Sequence, residues 1–124
     1  MPTSSLPLEI KSFLIEYIDS ISHLEVLLML FSTPDKKWDA QSVSKEFRSN
    51  VTAATIQLEN LQQKGLIKVD ESRSYFYVPE EHHELIKALY VLYHDKPVAV
   101  IACIYDKPQD KLKSFANAFK IKKD

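Results

Sequence analysis

Apolar residues fall at Ile10, Phe13, Leu14, Tyr17, Ile18 and Ile21. Steps of three and four place them on one face of a helix, so the spacing predicts a first helix running from Pro7. Met1 to Ser5 is polar and predicted to be loose. Ser22 stands three residues before Glu25, a pair that predicts a capping box opening a second helix. That helix carries Leu24, Val26, Leu27, Leu28, Leu30 and Phe31, and is apolar nearly all round. Such a helix belongs at the centre of a core. Pro34 ends it, because proline has no N–H to continue the backbone bonding.

Asp39 is a good N-cap for a third helix through Phe47. Ser49 or Asn50 caps a fourth, from about Val51 to Lys64, and Gly65 supplies the left-handed residue that stops it. Leu66–Val69 and Tyr75–Val78 are β-prone runs around a polar Asp70–Ser74, which reads as a hairpin. Helical spacing returns over Glu80–Asp95, with Leu85, Ile86, Leu89, Leu92 and Tyr93 on one face. The apolar run Val98–Tyr105 follows Pro97. Periodicity alone does not separate strand from helix there, but Pro97 suits a helical first turn, so a helix is expected. A last helix is predicted from about Pro108, with the stripe Leu112, Phe115, Ala116 and Phe119.

Val43, Phe47, Ala54, Leu58 and Leu61 have the spacing of two helices that cross steeply. Val43 and Phe47 face inward from the first. Ala54 is small where the helices approach most closely, and Leu58 and Leu61 anchor the second. Leu61-Gln62-Gln63-Lys64-Gly65-Leu66-Ile67 then leads directly into a hairpin that ends in Tyr75-Phe76-Tyr77-Val78-Pro79. On these residues the stretch from about Ser22 to Pro79 resembles the winged helix-turn-helix domains of MarR-like transcription regulators. The expected fold class is mainly α with a small β-hairpin, a winged helix-turn-helix plus C-terminal helices. Residues 1–95 form the winged domain, with the helix-turn-helix about 39–64 and the wing about 66–79. Residues 96–124 form a C-terminal helical extension. The expected core is Leu27, Leu28, Phe31, Val43, Phe47, Ala54, Leu58, Leu61, Leu66 and Leu85.

The resemblance implies that the fourth helix enters a DNA major groove and that the hairpin tip touches the backbone or minor groove. By position, Asn50, Thr52, Ala53, Thr55 and Ile56 would face the bases, and Lys45, Arg48, Lys64 and Arg73 would contact phosphates. In such families a base-reading Arg often stands where this chain has Ile56. Between Val51 and Gln63 there is no Lys or Arg at all. Phosphate neutralisation supplies most non-specific affinity, so each subunit should bind weakly and a dimer would help. The C-terminal segments have more apolar surface than one small domain needs. Val98, Ile101, Tyr105, Leu112, Phe115 and Phe119, together with the first helix, are the expected homodimer interface. The alternative is a winged helix that serves as a protein–protein interaction adaptor and binds no DNA.

Composition narrows the remaining classes. The net charge is −1, but residues 1–95 hold nine Lys and Arg against fourteen acids, while residues 96–124 hold seven Lys against three Asp. A basic tail docked on an acidic body accounts for that asymmetry, as does a charged partner. The single Gly65 excludes Gly-rich phosphate loops. The single Cys103 excludes an intrachain disulfide, favours a reducing compartment, and is expected to be a buried thiol in its apolar run. No apolar run is long enough for a membrane span and no secretory signal precedes the first helix, so a cytoplasmic protein is expected. His82, His83 and His94 lack metal-ligand spacing, so no metal is implied, and neither is any cofactor. Acids are scattered, with no nucleophile beside a base, and no enzyme is expected.

Overall fold

The computed structural model describes residues 6–106. In chain order these form α1 (Leu8–Tyr17), α2 (Ile21–Ser32), α3 (Ala40–Glu46), α4 (Val51–Gln63), β1 (Lys68–Val69), β2 (Tyr75–Phe76), α5 (His83–Asp95) and α6 (Pro97–Tyr105). The last predicted helix, with Leu112, Phe115, Ala116 and Phe119, lies outside the described residues, as does the predicted loose start at Met1–Ser5.

The first two helices meet earlier than the apolar spacing suggests. α1 ends at Tyr17 because Ile18 turns to extended backbone (φ −109°, ψ 121°). Ile18 is nonetheless fully buried, so the helical stripe and the core share it without the helix continuing. The cap of α2 is Ser20, not Ser22. Ser20 is extended, and its Oγ accepts from the His23 N–H at 3.1 Å, which starts the helix at Ile21. Ser22 instead receives a hydrogen bond from Gln57 Nε2 at 2.7 Å, and Glu25 receives the Tyr93 hydroxyl at 2.7 Å. Both bonds tie α2 to other helices.

α2 is the central helix, as its apolar circumference requires. Leu24, Val26, Leu27, Leu28 and Leu30 are buried, and it packs on α4 and α5. Each fully buried leucine stabilises the fold by roughly 1.5–3 kcal/mol relative to exposure. α1 packs on α5 and α6, which also pack on each other. Val100 and Ile104 bring α6 into the same core. Pro97 occupies the first turn of α6, where its missing N–H leaves no bond unmade. Phe31, Phe47 and Leu85 were expected inside but are half-buried against the core, while Ile10, Leu14, Ile86 and Leu89 fill its centre. Phe31 sits among the rings of Tyr77, His83 and Tyr90. Cys103 is half-buried in α6 rather than buried.

The hairpin is shorter than its sequence suggests. Lys68 pairs with Phe76 and Val69 with Tyr75, antiparallel. Leu66 and Ile67 are buried as the exit from α4 instead of extending the ladder. Gly65 takes φ 79°, its N–H donates to Gln62 O at 3.0 Å, and the Leu66 N–H donates to Leu61 O at 3.0 Å. This is a Schellman closure, which satisfies two carbonyls and turns the chain sharply into the hairpin.

Candidate nucleic-acid interface

The turn between α3 and α4 is built from local chemistry. Asp39 Oδ1 accepts from the Ser42 N–H at 2.7 Å, and Ser42 Oγ accepts from the Asp39 N–H at 3.1 Å, a reciprocal box that starts α3. The backbone N–H of Ser42 above all, then its hydroxyl, holds the Asp39 carboxyl below its usual range, and Lys45 adds to the effect. Asn50 Oδ1 accepts from the Ala53 N–H at 2.7 Å and starts α4. Between the helices Arg48 adopts φ 53°, and the Ser49 N–H donates to Ser44 O at 2.9 Å. The left-handed residue reverses the chain within one step. Side chains rarely take that conformation.

α4 has two distinct faces. Ala54, Leu58 and Leu61 are fully buried against the core, and α3 packs across them. Thr52, Ile56, Glu59 and Gln63, at i, i+4, i+7 and i+11, lie on the opposite side. Ile56 is 62% exposed, and Val51 at the first turn is 48% exposed. Thr55 donates its hydroxyl to Val51 O at 2.8 Å and so is partly committed to the helix itself.

The wing is fastened to the body through Trp38. The Trp38 N–H donates to Tyr75 O at 2.8 Å and the Tyr75 N–H returns to Trp38 O at 2.6 Å, which lays the segment before α3 beside β2. Both side chains are buried. At the tip, Asp70 Oδ1 accepts from the N–H groups of Ser72 at 2.9 Å and Ser74 at 3.0 Å. Those bonds, the Ser74 one first, together with Lys37 hold its carboxyl below the usual range. Asp70 thus organises the tip and lets Arg73 adopt φ 64°. Aspartate at the start of a polar turn is the signal for such a role. The sequence places Asp70 at the start of the polar turn, but its bonds to Ser72 and Ser74 appear only in the structure.

The cations expected to meet phosphates are in different states. Lys45 and Arg48 are exposed and, among the described residues, have no carboxylate within salt-bridge distance. Arg73 is exposed beside Glu59 at 3.5 Å, which links the wing to the outward face of α4, and it shares a shallow hollow with Thr55 and Tyr75. Lys64 turns the other way. Its Nζ donates to Tyr17 O at 2.8 Å and lies 3.3 Å from Asp19 Oδ1, closing the C-terminal end of α1. The structure therefore brings Arg73 beside Glu59 and Thr55 on α4, leaves Arg48 exposed in the turn before Asn50, and commits Lys64 to the end of α1. Lys37 and Lys68 are also paired, with Asp70 and Glu80.

Three of the four histidines, His82, His83 and His94, pack with aromatic rings. His82 lies against Phe13 and Tyr17, His83 shares a 2.9 Å hydrogen bond with the Tyr77 hydroxyl, and His94 contacts Tyr90. Among the described residues no group of three His, Cys, Asp or Glu side chains is placed to hold a metal ion. Among them, too, no helix is long and apolar enough to cross a membrane.

Neither a protein-family model nor a curated protein sequence matches the chain. A solved structure does. The crystal structure of MepR, a transcription regulator of the Staphylococcus aureus multidrug efflux pump MepA, is similar at a TM-score of 0.52 and 17% identity, over 91% of this chain and 87% of that chain. At that identity the likeness concerns architecture. Taken with the order of elements, it shows that the chain is mainly helical with a small hairpin, in a winged helix-turn-helix fold.

Proposed function

We propose that this protein is a DNA-binding transcription regulator that acts as a homodimer, with α4 in the major groove and the wing on the backbone. The observation that carries the reading is the outward face of α4. It presents Thr52, the exposed Ile56 and Gln63, with Arg48 in the turn before the helix and Arg73 on the wing beside Glu59 and Thr55. That arrangement fits the groove of B-DNA, with polar and apolar groups for base edges and cations at the rim for phosphates. The likeness to MepR, itself a transcription regulator, supports it. For dimerisation, Leu8 on α1 is 77% exposed, and Val98 and Tyr105 on α6 are 78% and 74% exposed. Three large apolar side chains on two packed helices suit a subunit interface, and Ile101 is half-buried between them in sequence. Leu112, Phe115 and Phe119 extend the proposed interface beyond the described residues.

The test is fluorescence anisotropy of a labelled random duplex at low salt, repeated as salt rises, with light scattering on the same sample. Binding that falls steeply with salt, by a species of twice the chain mass, is the expected result. A folded protein that binds no duplex at tens of micromolar overturns it. A second reading, a winged helix that serves as a protein adaptor, draws on one observation: α4 offers no cation, and four neighbouring cations are already paired within the fold. It expects a stable hetero-complex in place of DNA binding.

A further inference from the structure

We infer that the outward face of α4 discriminates bases by burying thymine methyl groups against Ile56, with Thr52 one turn before it. The inference rests on the DNA-binding reading and adds what that surface selects. Ile56 stands at the middle of the outward stripe, directly opposite the buried Ala54, Leu58 and Leu61. At 62% exposure most of its surface lies outside the packing of the fold. No Lys or Arg lies on α4 to form the bidentate pair that reads guanine. Asn50, which could read adenine, has its side-chain oxygen committed to the Ala53 N–H. The Thr55 hydroxyl is committed to Val51 O. The Asn50 oxygen and the Thr55 hydroxyl are thus committed to capping and helix bonds, and the side chain at the centre of the outward stripe is apolar: Ile56, with the Thr52 methyl one turn before it.

The edges of B-DNA offer one apolar protrusion in the major groove, the C5 methyl of thymine. An isoleucine inserted where it meets only phosphates and polar edges loses water without compensation. Against a thymine methyl both groups leave water together. Cations are available as well, since Lys45 on α3 and Arg48 in the turn before α4 are exposed and, among the described residues, have no carboxylate within salt-bridge distance, which suits them to phosphates. The surface thus selects runs that place thymine opposite Ile56, and it gains less from guanine or unmethylated cytosine.

The experiment compares two alternating duplexes that differ only at that methyl, adenine–thymine and adenine–deoxyuridine, using the full chain in the same anisotropy assay. One buried methyl is worth about fourfold in affinity, so a dimer burying one per subunit gains about fifteenfold on the thymine duplex. Alternating guanine–cytosine duplexes with and without 5-methylcytosine provide a second pair, in which the methylated form binds more tightly. Ile56→Ala brings the affinity for the thymine duplex down to that for the uracil duplex, and because Ile56 is exposed the variant keeps its melting temperature. Salt-dependent binding with equal affinity for thymine and uracil duplexes overturns the inference and leaves the DNA-binding reading standing. A thymine preference that survives Ile56→Ala overturns the assignment to this side chain. Absence of binding to every duplex removes the DNA-binding reading itself.

Discussion

Arg48 joins fold and proposed function in one residue, and two substitutions separate them. Its backbone is left-handed at φ 53°, in the turn that sets α3 against α4. Holding an L side chain there costs on the order of 1–2 kcal/mol. Glycine escapes that cost but loses more chain entropy on folding, by about 0.5–1 kcal/mol. Arg48→Gly is therefore neutral to stabilising, by up to about 1.5 kcal/mol. Arg48→Ala keeps a Cβ and the strain. With an unfolding entropy of about 2.1 cal/mol/K per residue over a chain of this length, 1 kcal/mol moves the melting temperature by about 4 °C. The glycine variant should thus melt at or up to about 6 °C above the alanine variant. Both variants remove the same charge. If Arg48 meets a phosphate, each lowers the salt slope by about 0.9 per subunit, which is roughly fifteenfold in affinity at 50 mM salt and roughly fourfold at 200 mM. Differential scanning calorimetry and salt-titrated anisotropy read the two effects independently. A glycine variant that melts well below the alanine variant refutes the backbone argument. An unchanged slope in both refutes the phosphate contact.

Two further outcomes follow from the core and its tyrosines. Leu58 is fully buried and its neighbour Ile56 is exposed on the other face of the same turn. Leu58→Ala should lower the melting temperature by roughly 8–19 °C, the equivalent of 2–5 kcal/mol, and similar small shifts for Leu58→Ala and Ile56→Ala would show that α4 does not face the core as described. Burial pushes the phenols of Tyr77 and Tyr93 up to about 12, with Glu25 adding to the effect at Tyr93. Folded values above the ordinary 10 mean that the unfolded chain ionises first. The tyrosine contribution should be flat from pH 8 to about pH 10 and fall by on the order of 2 kcal/mol per tyrosine as pH approaches 12. Melting followed from pH 8 to 12 checks this, and Tyr93→Phe should flatten part of the decline; a decline that begins well below pH 10 would contradict it.

What the sequence made legible was local chemistry. Asp39, Asn50 and Gly65 each act within three residues, so capping rules place α3, α4 and the exit to the wing. The packing of α3 on α4 was legible because Ala54 is small and fully buried on the inward face of α4. Non-local bonds were not legible. Nothing in the order of residues links Lys64 to Tyr17 O, Trp38 to Tyr75, or Gln57 to Ser22. The first withdraws a cation from the expected interface, the second ties the wing down, and the third shows why Ser22 is not the cap. Leu66 and Ile67 read as strand because apolar runs look alike whether they pair in a ladder or fill a core. Here the Schellman turn at Gly65 points them inward.

The charge arrangement sets how the proposed complex would work. With α4 empty of cations and Lys64 turned to α1, each subunit has Lys45 and Arg48 ready for phosphate, and Arg73 held loosely by Glu59. An exposed pair at 3.5 Å, with side chains 73% and 44% exposed, is weak enough to yield to a phosphate. Two subunits using only Lys45 and Arg48 neutralise four phosphates and give a salt slope of roughly −3.6; if Arg73 leaves Glu59 the count is six and the slope roughly −5.4. Between 50 and 200 mM salt those slopes correspond to losses of roughly 150-fold and roughly 1,800-fold in affinity. The salt titration therefore reports whether the wing takes part. The steeper slope means that DNA displaces Glu59 from Arg73. The shallower one means that the wing stays bonded to α4 and that specificity rests on the turn and on the apolar face at Ile56.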